Sequence, residues 1–150
     1  MNEQLIRIAV PADLNDLRLC ARLAYSRYVP RMGKAPEPMS ADFEYQVAQG
    51  WVYVVQCKQA FAGFVVFYPR GDRLLLESVA VLPDRAGRGT GRALIDYVEQ
   101  VARRDGFSAV ELYTNEAMTE NMAMYLALGY REVERKSQAG FSRVFYSKKI

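Results

Sequence analysis

The pattern of apolar and polar positions in the first 50 residues predicts one strand followed by two helices. Apolar and polar residues alternate from Leu5 to Val10, as in a half-buried strand. Apolar residues then recur every three or four positions from Leu14 to Tyr28, which predicts a helix with Asp13 as its N-cap.

The segment after this helix differs in composition. Residues 29–40 contain three prolines and a glycine, so we expect a loop, and a loop of this length is often functional. A short helix is predicted from Asp42 to Gln49, and Gly50 is suited to end it.

The rest of the chain alternates between strand and helix patterns. The β-rich runs WVYVVQ and AFAGFVVFY, separated by residues 57–59, predict a hairpin, and PRGD predicts the next turn. The later elements are predicted in this order: a strand in RLLLESVAVL, a helix over Thr90–Asp105, a strand in AVELYT, a helix over Met118–Leu128, and an antiparallel pair formed by YREVERK and SRVFYSK.

This order predicts a mixed α/β fold. We expect a mostly antiparallel central sheet of about seven strands with about four helices, in which strand–helix–strand units require some parallel pairing. With 150 residues and no linker or repeat, a single domain over residues 1–150 is expected.

The amino-acid composition excludes several kinds of catalytic and metal-binding site. The chain has 51% hydrophobic and 25% charged residues, as is typical of a globular protein, and its net charge of +3 is too weak to indicate nucleic-acid binding. The absence of histidine excludes Ser-His-Asp and Cys-His catalysis and histidine-containing metal sites. Two cysteines without a CxxC pattern, and no signal-peptide or membrane-spanning pattern, favour a cytoplasmic protein without metal or membrane attachment.

Three glycines at alternate positions, Gly87, Gly89 and Gly91, lie where a strand meets a helix. Backbone N–H groups at such a junction bind anions, and successive glycines let them line a concave nest. Arg88 and Arg92 would add charge-assisted contacts. The alternative is a tight turn with solvated arginines, but the coincidence of these features favours a phosphate site. The spacing fits neither a dinucleotide fingerprint nor a P-loop.

Two stretches resemble a known family. ESVAVLPDRAGRGTGRALIDYVEQVARRDG is similar to the acetyl-coenzyme-A signature of the GNAT N-acetyltransferases, and TENMAMYLALGY is similar to their second motif. The order of elements also matches, so the resemblance covers essentially the whole chain. One departure is Ala86, which occupies a position where this family usually has Gln or Arg.

The resemblance implies acetyl-CoA as co-substrate and assigns residues to it. Amides of residues 87–92, Thr90 among them, would hold the pyrophosphate. Main-chain groups of Val79 and Val81 would meet the pantetheine arm. The expected reaction is transfer of the acetyl group to an amine of a small molecule or peptide, by direct attack in a ternary complex.

Without histidine, the general base must be a carboxylate, a tyrosine or a relayed water. Glu77 is the one acid in an otherwise apolar strand just before the glycine loop, so it is the candidate base. The alternative, that Glu77 faces solvent on a half-buried strand, is equally compatible with the sequence.

Tyr125 and Asn121 lie four residues apart on the last predicted helix and share a face. The family resemblance assigns Tyr125 the protonation of the leaving thiolate, and Asn121 would hydrogen-bond the cofactor arm or the helix start. Flanking Met118, Met122 and Leu126 are expected to bury both groups partly. The alternative for Tyr125 is an ordinary core aromatic.

The amine acceptor is expected to bind near the first helices. An aromatic pocket is predicted there, with Asp42 and Glu44 nearby to attract an ammonium group. Its expected lining residues are Tyr25, Tyr28, Tyr45, Trp51 and Tyr53.

Cys20 and Cys57 lack an evident base, so no acyl-enzyme is expected. A non-catalytic acyl-CoA sensor and a nucleic-acid-binding protein are the alternative functions, and a homodimer is left open.

Overall fold

The structure, a computed structural model, describes residues 4–150. Its helices and strands follow one another in this order: β1 (Gln4–Ile8), α1 (Leu14–Tyr25), α2 (Val29–Met32), α3 (Phe43–Ala48), β2 (Val52–Cys57), β3 (Ala60–Arg70), β4 (Arg73–Val81), α4 (Thr90–Arg104), β5 (Ala109–Asn115), α5 (Thr119–Ala127), β6 (Arg131–Gln138) and β7 (Phe141–Lys149).

The seven strands form one sheet in the order β1-β2-β3-β4-β5-β7-β6. The pairs β1–β2, β2–β3, β5–β7 and β6–β7 are antiparallel, whereas β4 and β5, which are joined through α4, run parallel. The predicted mixed fold with a mostly antiparallel sheet of seven strands is therefore confirmed. Four of the helices, α1, α3, α4 and α5, are the expected ones.

The turns explain why the hairpins form where the sequence predicts them. Lys58 and Gln59 both have positive φ, 53° and 67°, which is the backbone of a two-residue turn that matches the twist of paired strands. In the next connection, Pro69 and Arg70 still belong to β3. The turn is therefore tighter than the predicted PRGD and centres on Gly71, with φ of 65°.

The segment 29–40 is not the irregular loop expected from its prolines. It contains α2 and a 3-10 turn at Glu37–Ser40, and Pro30 and Pro38 lie in the first turn of these two elements. Proline is compatible with a first helical turn, because the N–H that it lacks has no partner there. Gly33 ends α2 in the left-handed conformation, with φ of 73°.

Asp13 precedes α1, but its side chain does not cap that helix, so this prediction is wrong. Its carboxylate instead accepts two hydrogen bonds of 2.9 Å from the Arg7 guanidinium and one of 2.8 Å from the Val10 N–H. The hydrogen bonds from Arg7 lower the pKa of Asp13 against the opposing effect of burial. A charged partner on β1 therefore outcompetes the helix amides for this carboxylate.

The chain divides into two units, each with its own buried residues. The first comprises the residues up to Phe67 together with Ser78–Tyr97, and the second comprises Tyr68–Glu77 together with Val98–Ile150. In the first unit, Phe43 packs edge-on against Phe64 with ring centroids 5.3 Å apart. In the second, the fully buried side chains include Leu74, Leu76, Leu112 and Tyr146.

The outermost strand, β6, differs from the others in exposure. All of its residues from Arg131 to Ser137 are exposed, and only Gln138 is half-buried. Five of its eight residues are charged. Arg135 pairs with Glu132 at 3.0 Å, and Lys136 pairs with Glu134 at 3.7 Å.

Candidate active site

The connection from β4 to α4 places two of the three glycines in a conformation that other residues rarely adopt. Gly87 and Gly89 both have φ of 79°, and a Cβ built on either would meet no atom within 4 Å. Both are exposed, and α4 begins one residue later, at Thr90. The glycines are therefore required by the backbone, and the space in front of them is open to a ligand.

The start of α4 can bind an anion. The first N–H groups of this 15-residue helix have no carbonyl partner within it, and they carry the positive end of the helix dipole. Arg88 and Arg92 are exposed beside these amides. Thr90 is buried, and its hydroxyl accepts a 3.0 Å hydrogen bond from Gln4, so its side chain serves the fold. The residues present here fit a pyrophosphate group.

The strand before the loop carries the residues expected to meet the cofactor arm. Val79 and Val81 are both half-buried. The Val79 carbonyl accepts a 2.7 Å hydrogen bond from the Tyr25 hydroxyl, which ties the end of α1 to β4. A Cβ at Gly91 would lie 3.6 Å from Val81 Cγ2, which is an ordinary contact. A larger residue could therefore occupy this position, whereas the backbone angles of Gly87 and Gly89 favour glycine.

Glu77 directly follows a parallel ladder. β4 and β5 pair from Arg73 with Ala109 to Leu76 with Leu112. Glu77 is half-buried, and its Oε1 accepts a 2.9 Å hydrogen bond from the Tyr68 hydroxyl. Burial, and then the nearby Glu77 carboxylate, raise the pKa of Tyr68 well above its usual range. Tyr68 therefore stays a donor to this carboxylate.

On α5, the two predicted polar residues differ in environment. Tyr125 is buried, and its ring packs against Tyr130 at 6.2 Å and Tyr146 at 5.9 Å between centroids. Asn121 is half-buried, and its amide lies 3.7 Å from the sulfur of Met118. Leu126 does not flank them as expected, since it is 55% exposed.

The aromatic residues expected to line an acceptor pocket make ring contacts within the first unit. Tyr25 and Tyr28 are buried and lie 6.4 Å apart. Tyr53 contacts both Phe67 and Tyr97, each at 5.2 Å. Tyr45, by contrast, is 52% exposed and meets the edge of Trp51 at 5.6 Å.

The acids near this region have different roles. The Asp42 carboxylate accepts a hydrogen bond from the Tyr45 N–H and so caps α3. Glu44 is exposed on the first turn of that helix.

Neither cysteine is placed as a nucleophile. Cys20 is fully buried, and burial raises the pKa of its thiol to about 12. Cys57 ends β2 beside the hairpin turn and is half-buried. Within residues 4–150, no group of acids and cysteines is arranged to hold a metal ion, and no helix is long and apolar enough to cross a membrane.

Two sets of residues near the predicted ones are not evident from the sequence. Tyr68 is one, because its partner Glu77 is nine positions away on the facing strand. The other is a cluster beside Tyr125 formed by buried Glu99, buried Tyr130 and half-buried Lys148. An acid on the apolar face of a helix pattern, as at Glu99, is the one feature that could have indicated it.

Comparison with known proteins gives a family and a fold. The family model described as the acetyltransferase (GNAT) family matches residues 17–130. No curated protein matches the sequence.

Among solved structures, PaiA N-acetyltransferase from Thermoplasma acidophilum in complex with coenzyme A is 14% identical, with a TM-score of 0.83 over 98% of this chain and 99% of that one. The ribosomal-protein-S18-alanine N-acetyltransferase from Escherichia coli is 18% identical, with a TM-score of 0.78 over 98% of this chain and 94% of that one.

Proposed function

This chain belongs to the GNAT acetyltransferase family, and we propose that it acetylates an amine of a small molecule or peptide by direct attack in a ternary complex. Membership of the family makes it an acetyl-CoA-dependent N-acetyltransferase. We further propose that residues 1–150 act as one catalytic domain. The observation that carries the proposal is the family match over residues 17–130, which includes both the glycine loop and α5.

The glycine loop is the proposed binding site for the pyrophosphate of acetyl-CoA. Two exposed glycines with φ of 79° in the loop before α4 support this role, because the space where a Cβ would lie is open at both. Arg88 and Arg92 would add charge to the same phosphates. Val79 and Val81 are assigned to the pantetheine arm, and Asn121 to the same arm or to the start of α5.

Glu77 is the proposed general base. A lysine-like amine has a pKa of about 10.4 and arrives protonated at neutral pH, so it must lose a proton before its nitrogen can attack. The carboxylate of Glu77 would accept this proton, and the neutral amine would then form the bond between its nitrogen and the acetyl carbon. Its hydrogen bond from Tyr68 supports this role, because a donor at one oxygen fixes the direction of the other.

Tyr125 is the proposed general acid, which gives its proton to the sulfur as the carbon–sulfur bond breaks. The motif TENMAMYLALGY supports the assignment. The burial of Tyr125 supports it as well, because a buried phenol is held in one orientation.

The acceptor is proposed to contact the exposed face near Tyr45 in the first unit. The aromatic ring of Tyr45 and the nearby Glu44 suit an ammonium-bearing substrate through cation–π and charge interactions.

The free thiols of Cys20 and Cys57 fit a reducing compartment, and we propose the cytoplasm.

The proposal is tested by following thiol release from acetyl-CoA with a panel of amines, amino acids and peptides. We expect turnover with at least one amine, and Tyr125→Phe should lower kcat about a hundredfold, the low end of the range for general acid catalysis. The low end is expected because a thiol with a pKa of about 8.5 can leave unaided. Binding of acetyl-CoA without turnover on any amine would indicate the alternative, a non-catalytic acyl-CoA sensor.

A further inference from the structure

A carboxylate is buried on α4, within the second unit. Glu99 is only 3% exposed, yet it is ionisable and lies between apolar neighbours such as Val98 and Ala102. The Tyr130 hydroxyl donates a 3.0 Å hydrogen bond to its Oε2, and Lys148 Nζ donates one of 2.9 Å to its Oε1. Both oxygens therefore have partners from outside α4, and Arg103 on α4 adds an ion pair to Oε1 at 3.6 Å.

Lys148 also holds the end of α5. Its Nζ donates a second hydrogen bond of 2.9 Å to the carbonyl of Leu128, one of the last carbonyls of that helix, which have no partner within it. A Cβ at Gly129 would lie 3.5 Å from Lys148 Cε, so the lysine stem passes directly beside the residue that ends the helix. One ammonium group thus joins the carboxylate of α4 to the end of α5.

Tyr130 connects this network to Tyr125. Its ring meets the Tyr125 ring at 6.2 Å and an angle of 63°, and its N–H donates a 3.0 Å hydrogen bond to the Tyr125 carbonyl. The same residue therefore contacts both the backbone and the ring of Tyr125. Tyr146 packs against another part of that ring, but its own hydroxyl is buried without a hydrogen-bond partner among the described residues.

We propose that Lys148, Glu99 and Tyr130 are positioning residues that hold Tyr125 in the orientation in which its hydroxyl acts as the general acid. This inference rests on the acid role proposed for Tyr125. Stability alone is a weak explanation for the network, because apolar side chains of similar volume often stabilise a core as well as a buried ion pair does. Such a network has a better attested use in fixing one arrangement among several.

The first test is Tyr130→Phe, which keeps the ring against Tyr125 and removes only the hydroxyl bound to Glu99. We expect kcat to fall about tenfold, while KM for acetyl-CoA changes less than about twofold. The expected loss is smaller than the roughly hundredfold loss that a 1 Å misplacement can cause, because only the support of Tyr125 is weakened. Tyr146→Phe is the matched control, since it removes a buried hydroxyl with no partner and should leave kcat unchanged. An unchanged kcat in Tyr130→Phe would overturn the inference.

A second variant separates positioning from stability. Glu99→Gln removes the ion pairs with Lys148 and Arg103 but keeps an oxygen that can accept from Tyr130. We expect its Tm to fall while kcat stays within about threefold of the wild-type value, whereas Tyr130→Phe should lose more kcat than Tm. If kcat follows Tm in both variants, the network is only structural and the inference is wrong.

A double variant that combines Tyr130→Phe with Tyr125→Phe distinguishes this inference from the proposed function. If Tyr130 acts through the Tyr125 hydroxyl, Tyr130→Phe should have no further effect on kcat once that hydroxyl is absent. Equal effects in both backgrounds would overturn the positioning role and leave Tyr125 as the acid. A wild-type kcat in Tyr125→Phe itself would instead overturn the acid assignment, and the positioning role with it.

Discussion

The Tyr68 hydroxyl donates a 2.9 Å hydrogen bond to Oε1 of Glu77, the residue after Leu76, which pairs with Leu112 of β5. Tyr68 remains protonated well above neutral pH, because burial and the neighbouring carboxylate raise its pKa. The Tyr68 hydroxyl therefore stays a donor, and the hydrogen bond fixes the orientation of the Glu77 carboxylate. This pair leads to the first prediction.

Glu77→Gln should remove the acid limb of the rate profile, because an amide cannot accept the proton of the amine. In Tyr68→Phe the carboxylate loses the donor that orients it, so kcat/KM should fall although the proposed base is still present. The measurement is kcat/KM from about pH 5 to 9. An acid limb identical to wild type in Glu77→Gln would show that another group or a water relay is the base.

Gly89→Glu should abolish stabilisation by acetyl-CoA, because it adds bulk and negative charge where the phosphates are proposed to bind. In the wild type, ligand at about one hundred times its Kd should add about 2.7 kcal/mol, which raises Tm by roughly 5 to 11 °C. Gly71→Glu is the control, since Gly71 also has a positive φ, 65°, with open space around it. Both variants should lose stability through backbone strain, but a ligand shift retained in Gly89→Glu would place the site elsewhere.

Changes within residues 28–45 should affect the amine more than the cofactor. Tyr45→Ala removes the most exposed aromatic ring of this region and should raise KM for the amine about two- to fivefold, the effect of an exposed cation–π contact. KM for acetyl-CoA should stay unchanged. Leu23→Ala, which removes another exposed apolar side chain, should change neither constant. Equal changes in both constants for Tyr45→Ala would indicate a general structural role.

Asp13→Asn should lower the free energy of unfolding by about 1 to 2 kcal/mol at pH 7, because the hydrogen bonds from Arg7 would no longer meet a charged acceptor. The pKa of Asp13 is lowered in the folded state, so its stabilisation is complete above the unfolded value of about 3.9. It is lost as the pH falls through the lower folded value. Urea unfolding at several pH values measures this, and the difference between variant and wild type should vanish in acid.

Asp96→Asn, which changes an exposed acid on α4, is the control for this measurement. It should alter stability by no more than about 0.5 kcal/mol at any of these pH values. A pH-independent loss in Asp13→Asn would show that charge is not what Arg7 recognises.

The elements of the fold could be predicted because their patterns are local. Helix α4 was predictable from the spacing of Leu94, Val98 and Val101 and from Gly106, and the β2–β3 hairpin from two β-rich runs around a short turn. The segment 29–40 was predicted wrongly, because proline disfavours the interior of a helix but not its first turn.

The site was less predictable because its contacts are distant in sequence. Gly87 and Gly89 could be identified, since a backbone requirement shows in the residue type itself. The partners of Asp13, Glu77 and Glu99 could not, because each pairing depends on which strand or helix the fold brings alongside. The same applies to Leu126, whose exposure depends on how α5 is rotated against its neighbours.

The charged residues of β6 disfavour the addition of a strand from another molecule at this edge of the sheet. An open sheet edge is a template on which a strand of another molecule can add, and this is a common route to fibrils. Any strand that paired with β6 would have to strip water from Arg135, Glu132 and their neighbours along most of its length. Concentrated solutions should therefore be protected from fibril growth at this edge.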